Sequence, residues 1–326
     1  MGRVPDLRRG RMKILIVTPE APGTTLGNSI TADRWTKILG SLGHHVSAAR
    51  DWTGEEYDLL IGLHARRSHA AIEHFRQAYP RKPVIVALTG TDLYRDLPGS
   101  AEARKSLSLA ARIIVLQDAA RQALDAEART KTVVIYQSAE APGHREPSLS
   151  DCFEVCVLSH LRDVKDPLRA AYAARELPDR SRILVTHAGK AMDSKWEDRA
   201  RAEERTNPRY QWIGEQSHEA AIRILTRSHL LVLSSVMEGG ANAIAEAVMC
   251  GVPVLCSDVA GNVGMLGSSY PGYFGVKDTG QLASLLTRAE TDNNFLALLQ
   301  EFIQKLQQRF GPAQEMESWN RLLQEL

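Results

Sequence analysis

The feature that most constrains this chain is a rhythm that runs twice. Short, nearly unbroken Val/Ile/Leu runs alternate with longer amphipathic stretches. In the first series "KILIVT" (13–18) leads into a Gly/Pro/Thr loop, "PEAPGTTLGNS" (19–29), and then a helical pattern with Ile30, Trp35, Ile38, Leu39 and Leu42 on one face. Gly43 closes that helix. "YDLLIGLH" ends at His64, "KPVIVALTG" carries a strand to Thr89, and "ARIIVLQ" and "KTVVIYQS" follow. The second series reads "FEVCVLSHL", "RILVTHAG", "YQWIGE", "HLLVLSS", "VPVLCSD" and a weaker "YFGV". Strands apolar on both faces need cover on both faces, so each series predicts a parallel sheet between helices. The fold class expected is α/β, with two Rossmann-like doubly wound domains facing across a cleft.

Between the series, "QSAEAPGHREPSLSD" (137–151) loses periodicity to Pro, Ser and charge, which marks a linker. The expected division is a disordered tail at 1–12, a first domain at 13–145, a second at 146–305, and a last helix at 306–326 that crosses back to the first domain. The tail is basic, and Met12 is an alternative functional start. "KILIVT" is too short for an export signal. At 326 residues the chain is long enough for two cores. A net charge of +1 argues against a nucleic-acid binder, and no apolar run reaches the ~20 residues a membrane span needs. Cys152, Cys156, Cys250 and Cys256 lie in apolar patterns without metal-ligand spacing, which suits core thiols in a reduced cytoplasm.

In open parallel sheets ligands bind beyond the carboxyl ends of the strands. The stretch "VMEGGANAIAEAVMCGVPVLCSD" (236–258) follows one such end. Gly239 and Gly240 let backbone N–H groups come close to a ligand, and a helix starting at Ala241 or Asn242 turns its positive end to a phosphate. Glu246, about a turn inside, reaches hydroxyls beside the phosphates. Glu238 stands at the turn, near whatever the phosphate carries.

This stretch resembles the E-x7-E signature of the GT-B glycosyltransferases, a large group of sugar-nucleotide-dependent enzymes. "YQWIGE" is similar to their strand-Gly element, which places Gly214 beside the base. The resemblance implies that Glu246 holds ribose and that Glu238 approaches the donor sugar. It also implies an Arg and, five residues on, a Lys that neutralise the leaving diphosphate. In "LSHLRDVKDP" Lys165 matches the Lys, His160 stands at the Arg position, and Arg162 lies two residues later. Either His160 or Arg162 takes that role. The chain has no Asp-x-Asp, the pair that binds metal in the other major transferase class, so no metal and no cofactor are expected.

The first half offers "TPEAPGTTLGNSITADRW", "GLHARRS" and "LTGTDLYRD". These loops gather Gly27, Asn28, Thr31, Arg34, His64, Arg66, Arg67, Thr89 and Thr91. So many cations suit an anionic acceptor better than a neutral sugar. With "LSHLRDVKDPLRAA" they resemble the selenosugar synthases of the selenoneine pathway. Those enzymes join selenophosphate to the anomeric carbon of a UDP-sugar, UDP-N-acetylglucosamine or UDP-glucose, with loss of phosphate. The resemblance implies that the first domain binds selenophosphate and the second the UDP-sugar, with Glu238, Lys165 and His64 as the catalytic set. It implies small-molecule substrates, with a selenophosphate synthetase and a selenoneine synthase as pathway neighbours. Three alternatives remain beside it: a GT-B transferase with an ordinary sugar, lipid or small-molecule acceptor, a non-catalytic sugar-nucleotide binding protein, and a sugar-nucleotide epimerase. Donor incubation without acceptor separates the last two from the transferases.

Overall fold

The computed structural model describes residues 10–20, 27–90 and 92–326. It divides into two compact units, Met1–Gln137 with Ala313–Leu326, and Ser138–Pro312.

The first unit is built on β1 (Lys13–Val17), α1 (Gly27–Ser41), β2 (His45–Ala49), β3 (Leu59–Leu63), α2 (His69–Ala78), β4 (Val84–Leu88), α3 (Ala101–Leu109), β5 (Arg112–Val115), α4 (Ala126–Thr130) and β6 (Thr132–Val134). Its six strands run in the order β2-β1-β3-β4-β5-β6, and every pairing is parallel. All five residues of β3 and of β4 are buried, as expected for a sheet covered on both sides. The order reverses at β1 and β3, the switch point at which such sheets bind ligands.

On α1, Trp35, Ile38 and Leu39 are buried as the pattern predicts, but Ile30 is exposed. Ile30 precedes Trp35 by five residues, which is about 140° around a helix, so it leaves the inner face to Thr31 and Ala32.

The second unit contains β7 (Phe153–Leu158), α5 (Arg169–Arg175), β8 (Ile183–Ala188), α6 (Ser194–Thr206), β9 (Tyr210–Trp212), α7 (His218–Arg227), β10 (Leu230–Leu233), α8 (Asn242–Cys250), β11 (Val254–Ser257), α9 (Ala260–Leu266), β12 (Tyr273–Phe274), α10 (Thr279–Thr291) and α11 (Asn293–Phe310). The strand order is β12-β11-β10-β7-β8-β9, again all parallel. The reversal here falls between β7 and β10.

The division between units comes earlier than the 145/146 boundary that composition suggests. Ala139 N–H donates to the Phe310 carbonyl at 3.0 Å, and Arg145 Nε to the Thr226 carbonyl at 3.1 Å. These bonds hold the aperiodic segment to the second unit. α11 continues unbroken to Phe310, so the returning segment starts after Pro312 and not at 306. That segment, α12 (Pro312–Gln324), packs on α1. Trp35 Nε1 donates to Glu315 Oε1 at 2.7 Å, and the Trp35 and Trp319 rings meet edge-on at 4.8 Å.

All four cysteines are free thiols. Burial pushes Cys156 up to about 12 and Cys250 up to about 11, which makes both poor nucleophiles. Among the described residues no helix is long and apolar enough to cross a membrane. The expected tail at 1–12 lies mostly outside the described residues.

Candidate active site

In the second unit, the loops after the neighbouring strands β7 and β10 are stitched together. Asp163–Lys165 form a short helical turn after β7, and Asp166 follows in a left-handed conformation at φ 44°. Arg169 holds the Asp166 carboxylate with two bonds, 2.8 and 3.3 Å, and reaches Thr279 at 2.6 Å. Ser234 Oγ donates to the Asp166 carbonyl at 2.8 Å and to that of Lys165 at 3.2 Å. Val236 N–H donates to the Val164 carbonyl at 2.9 Å.

These bonds bring Lys165 and Glu238 together. Lys165 Nζ donates to Glu238 Oε1 at 2.5 Å, and Ser235 Oγ donates to the same oxygen at 2.5 Å. The side chains are 17% and 9% exposed, so the pair is largely but not fully withdrawn from water. Behind it, Ser257 Oγ donates to the Ser235 carbonyl at 2.5 Å, and Asn262 Nδ2 donates to the Ser257 carbonyl at 2.9 Å. Gly261 lies so close that a Cβ there would stand 2.0 Å from the Glu238 carbonyl oxygen. Any side chain at 261 displaces the turn that carries Glu238.

Ala241 precedes α8 and offers no capping side chain. Glu246 sits on α8 with Oε1 3.7 Å from Nδ1 of His218, the first residue of α7. α8 ends at Gly251 in the left-handed region, φ 67°, which turns the chain into β11.

The loop after β7 is set by a buried histidine on β8. His187 Nε2 bonds the Ser159 carbonyl at 2.9 Å, and Nδ1 meets Tyr210 Oη at 3.0 Å. The carbonyl can only accept, so Nε2 carries the proton and Nδ1 accepts from Tyr210. Burial lowers His187 to about 4 and keeps it neutral. The residue after Ser159, His160, accepts the Lys190 N–H at Nδ1, 3.1 Å. Arg162 is half-buried, and among the described residues its buried Nε has no hydrogen-bond partner. Gly214, at φ 72°, accepts from Gly189 N–H at 2.8 Å.

In the first unit, the ends of β1, β3 and β4 meet at the switch point. Asp92 is fully buried and joins the ends of β3 and β4. Its carboxylate accepts N–H bonds from Ala65 (3.0 Å), Thr89 (3.0 Å), Gly90 (2.9 Å) and Leu93 (3.0 Å). His64 is buried at φ 75°, a costly conformation for a non-glycine residue. Its Nδ1 accepts from Arg67 N–H at 3.3 Å, and Nε2 lies 3.4 Å from Asp96 Oδ2. Burial lowers the His64 pKa, and Arg67 and Arg66 lower it further, against Asp92 and Asp96, which raise it. Arg66 pairs with Asp96 at 3.1 Å and Arg67 with Glu20 at 3.3 Å. Among the described residues the buried Thr18 Oγ1 has no hydrogen-bond partner.

The model of the glycosyl transferases group 1 family matches residues 144–309, just over half of the chain. The chain belongs to that family. No curated protein matches it significantly in sequence. Its fold is similar to that of Anabaena HepE in complex with UDP, at TM-score 0.79 and 16% identity, covering 97% of this chain and 100% of that one. It is similar also to sucrose-phosphate synthase from Thermosynechococcus elongatus, at TM-score 0.78 and 15% identity over 97% and 99%. A glycosyltransferase from Rickettsia africae aligns at TM-score 0.75 and 13% identity, over 97% and 99%. These likenesses establish the GT-B fold, two parallel six-stranded sheets with their helices.

In this group 1 glycosyltransferase, Lys165 and Glu238 are in contact, and Gly239, Gly240, Ala241, Asn242 and Glu246 continue from them along one turn and helix. His64, Arg66, Arg67 and Thr89 share the rim organised by Asp92. Thr31 and Arg34, like Arg66 and Arg67, are engaged inside the first unit. Thr31 Oγ1 donates to the Gly27 carbonyl at 2.9 Å and accepts from Gln137 Nε2 at 2.6 Å. Arg34 pairs with Glu315 at 3.4 Å. Gly27 and Asn28 open α1, and Thr91 lies outside the described residues. Among the described residues no group of three or more His, Cys, Asp or Glu is placed to hold a metal ion.

Sequence reading missed Ser234, Ser235, Gly261 and His218. The serines read as a strand end, although a small polar pair just before an acid at the carboxyl end of a strand is the signal that finds them.

Proposed function

We propose that this glycosyltransferase transfers the sugar of UDP-N-acetylglucosamine or UDP-glucose to selenophosphate in the cytoplasm. The observation that carries the donor half is the Lys165–Glu238 pair at the switch point of the second sheet, followed at once by Gly239, Gly240 and the uncapped start of α8. Fold neighbours that hold UDP or UDP-glucose support a uridine nucleotide. The diphosphate lies against the start of α8 and Lys165, helped by His160 or Arg162, and Glu246 holds ribose. As the bond from C1 to the diphosphate oxygen breaks, its electron pair leaves with UDP, and the fixed ammonium of Lys165 stabilises that charge. Glu238 stands beside the anomeric centre.

The acceptor half is carried by Arg66 and Arg67, consecutive cations at the end of β3, with Asn28, Thr91, Arg34 and neutral His64 completing the proposed set. Selenium, already anionic and soft, forms the C1–Se bond with no need of a general base. Water then cleaves the P–Se bond, and phosphate leaves the 1-selenosugar. No metal or cofactor enters this scheme. A selenophosphate synthetase supplies the acceptor, and a selenoneine synthase consumes the product. Arg66→Ala and Arg67→Ala, made separately, test the acceptor half: at least one must raise the apparent Michaelis constant for selenophosphate. If neither does, the anion site is misplaced.

A second reading, a small neutral acceptor, is favoured by one observation. Arg66 and Arg67 are each already paired with a carboxylate, Asp96 and Glu20. Turnover with a neutral sugar alcohol and none with selenophosphate would select it.

A further inference from the structure

Ser234 and Ser235 are consecutive, both buried, and stand just past the end of β10. A buried serine ordinarily gives its proton to a nearby backbone carbonyl. Ser68, Ser228, Ser234 and Ser257 do so here. Ser235 does not. Its hydroxyl goes to a carboxylate oxygen, Glu238 Oε1, the atom that also takes Lys165 Nζ. A hydrogen bond to an ionised acceptor is about twice as strong as a neutral one. Oε2 takes part in neither bond, so the two donors together settle which oxygen of Glu238 is occupied.

The neighbouring hydroxyl does the complementary task. Ser234 Oγ holds the carbonyls of Lys165 and Asp166, and so sets where the lysine starts. The serine backbone is itself pinned, because the Ser235 carbonyl accepts from Ser257 Oγ and the Ser257 carbonyl from Asn262 Nδ2. A rigid dipeptide thus reaches both loops, one hydroxyl to each.

We propose that Ser235 and Ser234 are positioning residues of the transfer reaction: Ser235 orients the Glu238 carboxylate and Ser234 fixes the Lys165 loop. Neither touches the donor. This rests on the donor-site reading above, in which Glu238 stands at the anomeric carbon and Lys165 at the leaving diphosphate. A misoriented Glu238 slows the chemical step, while nucleotide binding, which lies with α8 and Glu246, is retained.

The test is a double-mutant cycle with Ser235→Ala, Glu238→Gln and the pair. UDP release from UDP-N-acetylglucosamine and from UDP-glucose is read with selenophosphate and with water alone as acceptor, so that the result does not depend on the acceptor's identity. Ser235→Ala lowers kcat roughly ten- to a hundredfold, leaves the UDP dissociation constant within about threefold, and adds nothing when Glu238 is already Gln. A purely structural serine would cost the same in both backgrounds, and that additivity overturns the assignment. Where Ser235→Ala melts near the assay temperature, Ser235→Cys keeps the size and weakens the donor. An intermediate kcat loss supports the proposal, and an unchanged kcat overturns it. A wild-type protein that releases no UDP from either sugar nucleotide overturns the donor reading and this assignment with it. An active wild type with an equally active Ser235→Ala overturns this assignment alone.

Discussion

Replacing Lys165 by Met separates catalysis from stability within one pair. The ammonium sits 2.5 Å from Glu238 Oε1, in a site where the two side chains are 17% and 9% exposed. Removing one partner of a fully buried pair costs about 3–5 kcal/mol, because the other charge is left uncompensated. Here Ser235 keeps its bond to the same oxygen and some water reaches the site, so the expected cost is about 1–2 kcal/mol. For a unit of the size of Ser138–Pro312 that is a fall in Tm of roughly 2–8 °C. The catalytic loss is larger. A fixed donor facing charge that develops in the transition state is worth about 10²–10³ in kcat, or ~3–4 kcal/mol. Differential scanning fluorimetry gives the first quantity and continuous UDP release the second. The reasoning is refuted if Lys165→Met keeps kcat within about fivefold of wild type, or if the kcat loss is no greater than the loss of folded protein accounts for.

Three further perturbations probe the supports of the site. Gly261→Ala puts a methyl 2.0 Å from the Glu238 carbonyl, so the turn must move; kcat is expected to fall more than about tenfold while α/β circular dichroism is retained. Glu315→Ala strips the acceptor from Trp35 Nε1 and a buried carboxylate from Arg34, both inside the first unit; chemical denaturation followed by tryptophan fluorescence should show a loss of about 2–4 kcal/mol. His187 is lowered by burial to about 4 in the folded protein, against 6.5 unfolded, so its contribution is complete above about pH 6.5 and is lost as pH falls toward 4. At its full extent that is about 3 kcal/mol. Burial lowers His44, His64 and His229 in the same direction, so the check is a difference: His187→Gln should flatten the pH dependence of stability between pH 6.5 and 4 relative to wild type, and equal slopes would refute it.

The strands were readable because each is a short apolar run ended by Gly, Pro or a polar turn, and a sheet buried on both faces leaves no other composition. That Glu238 and the Gly239–Gly240 turn stand at a strand end was readable from the apolar run before them, whereas Lys165 was singled out only through the family resemblance; the contact between Lys165 and Glu238 is what the structure adds. What escaped depends on partners far along the chain. Arg34 pairs with Glu315, a carboxylate that no local pattern connects to it. Ile30 was placed inward by hydrophobicity alone, although its angular offset from Trp35 turns it out. The unit boundary at Gln137 falls at the start of the aperiodic stretch; what was hidden is that this stretch belongs to the second unit, held by bonds to the Phe310 and Thr226 carbonyls. Asp92 was visible as one residue of a loop, but its four N–H bonds join the ends of β3 and β4, and that role exists only once the strands are adjacent.

The most direct test of the central claim is mass spectrometry of the purified protein with UDP-N-acetylglucosamine or UDP-glucose, with and without selenophosphate generated in situ. The account predicts UDP together with a hexose or N-acetylhexosamine species that carries the selenium isotope pattern, formed only when selenophosphate is present. UDP release with no selenium-bearing sugar would contradict the acceptor assignment, and no turnover of either donor would contradict the reaction itself.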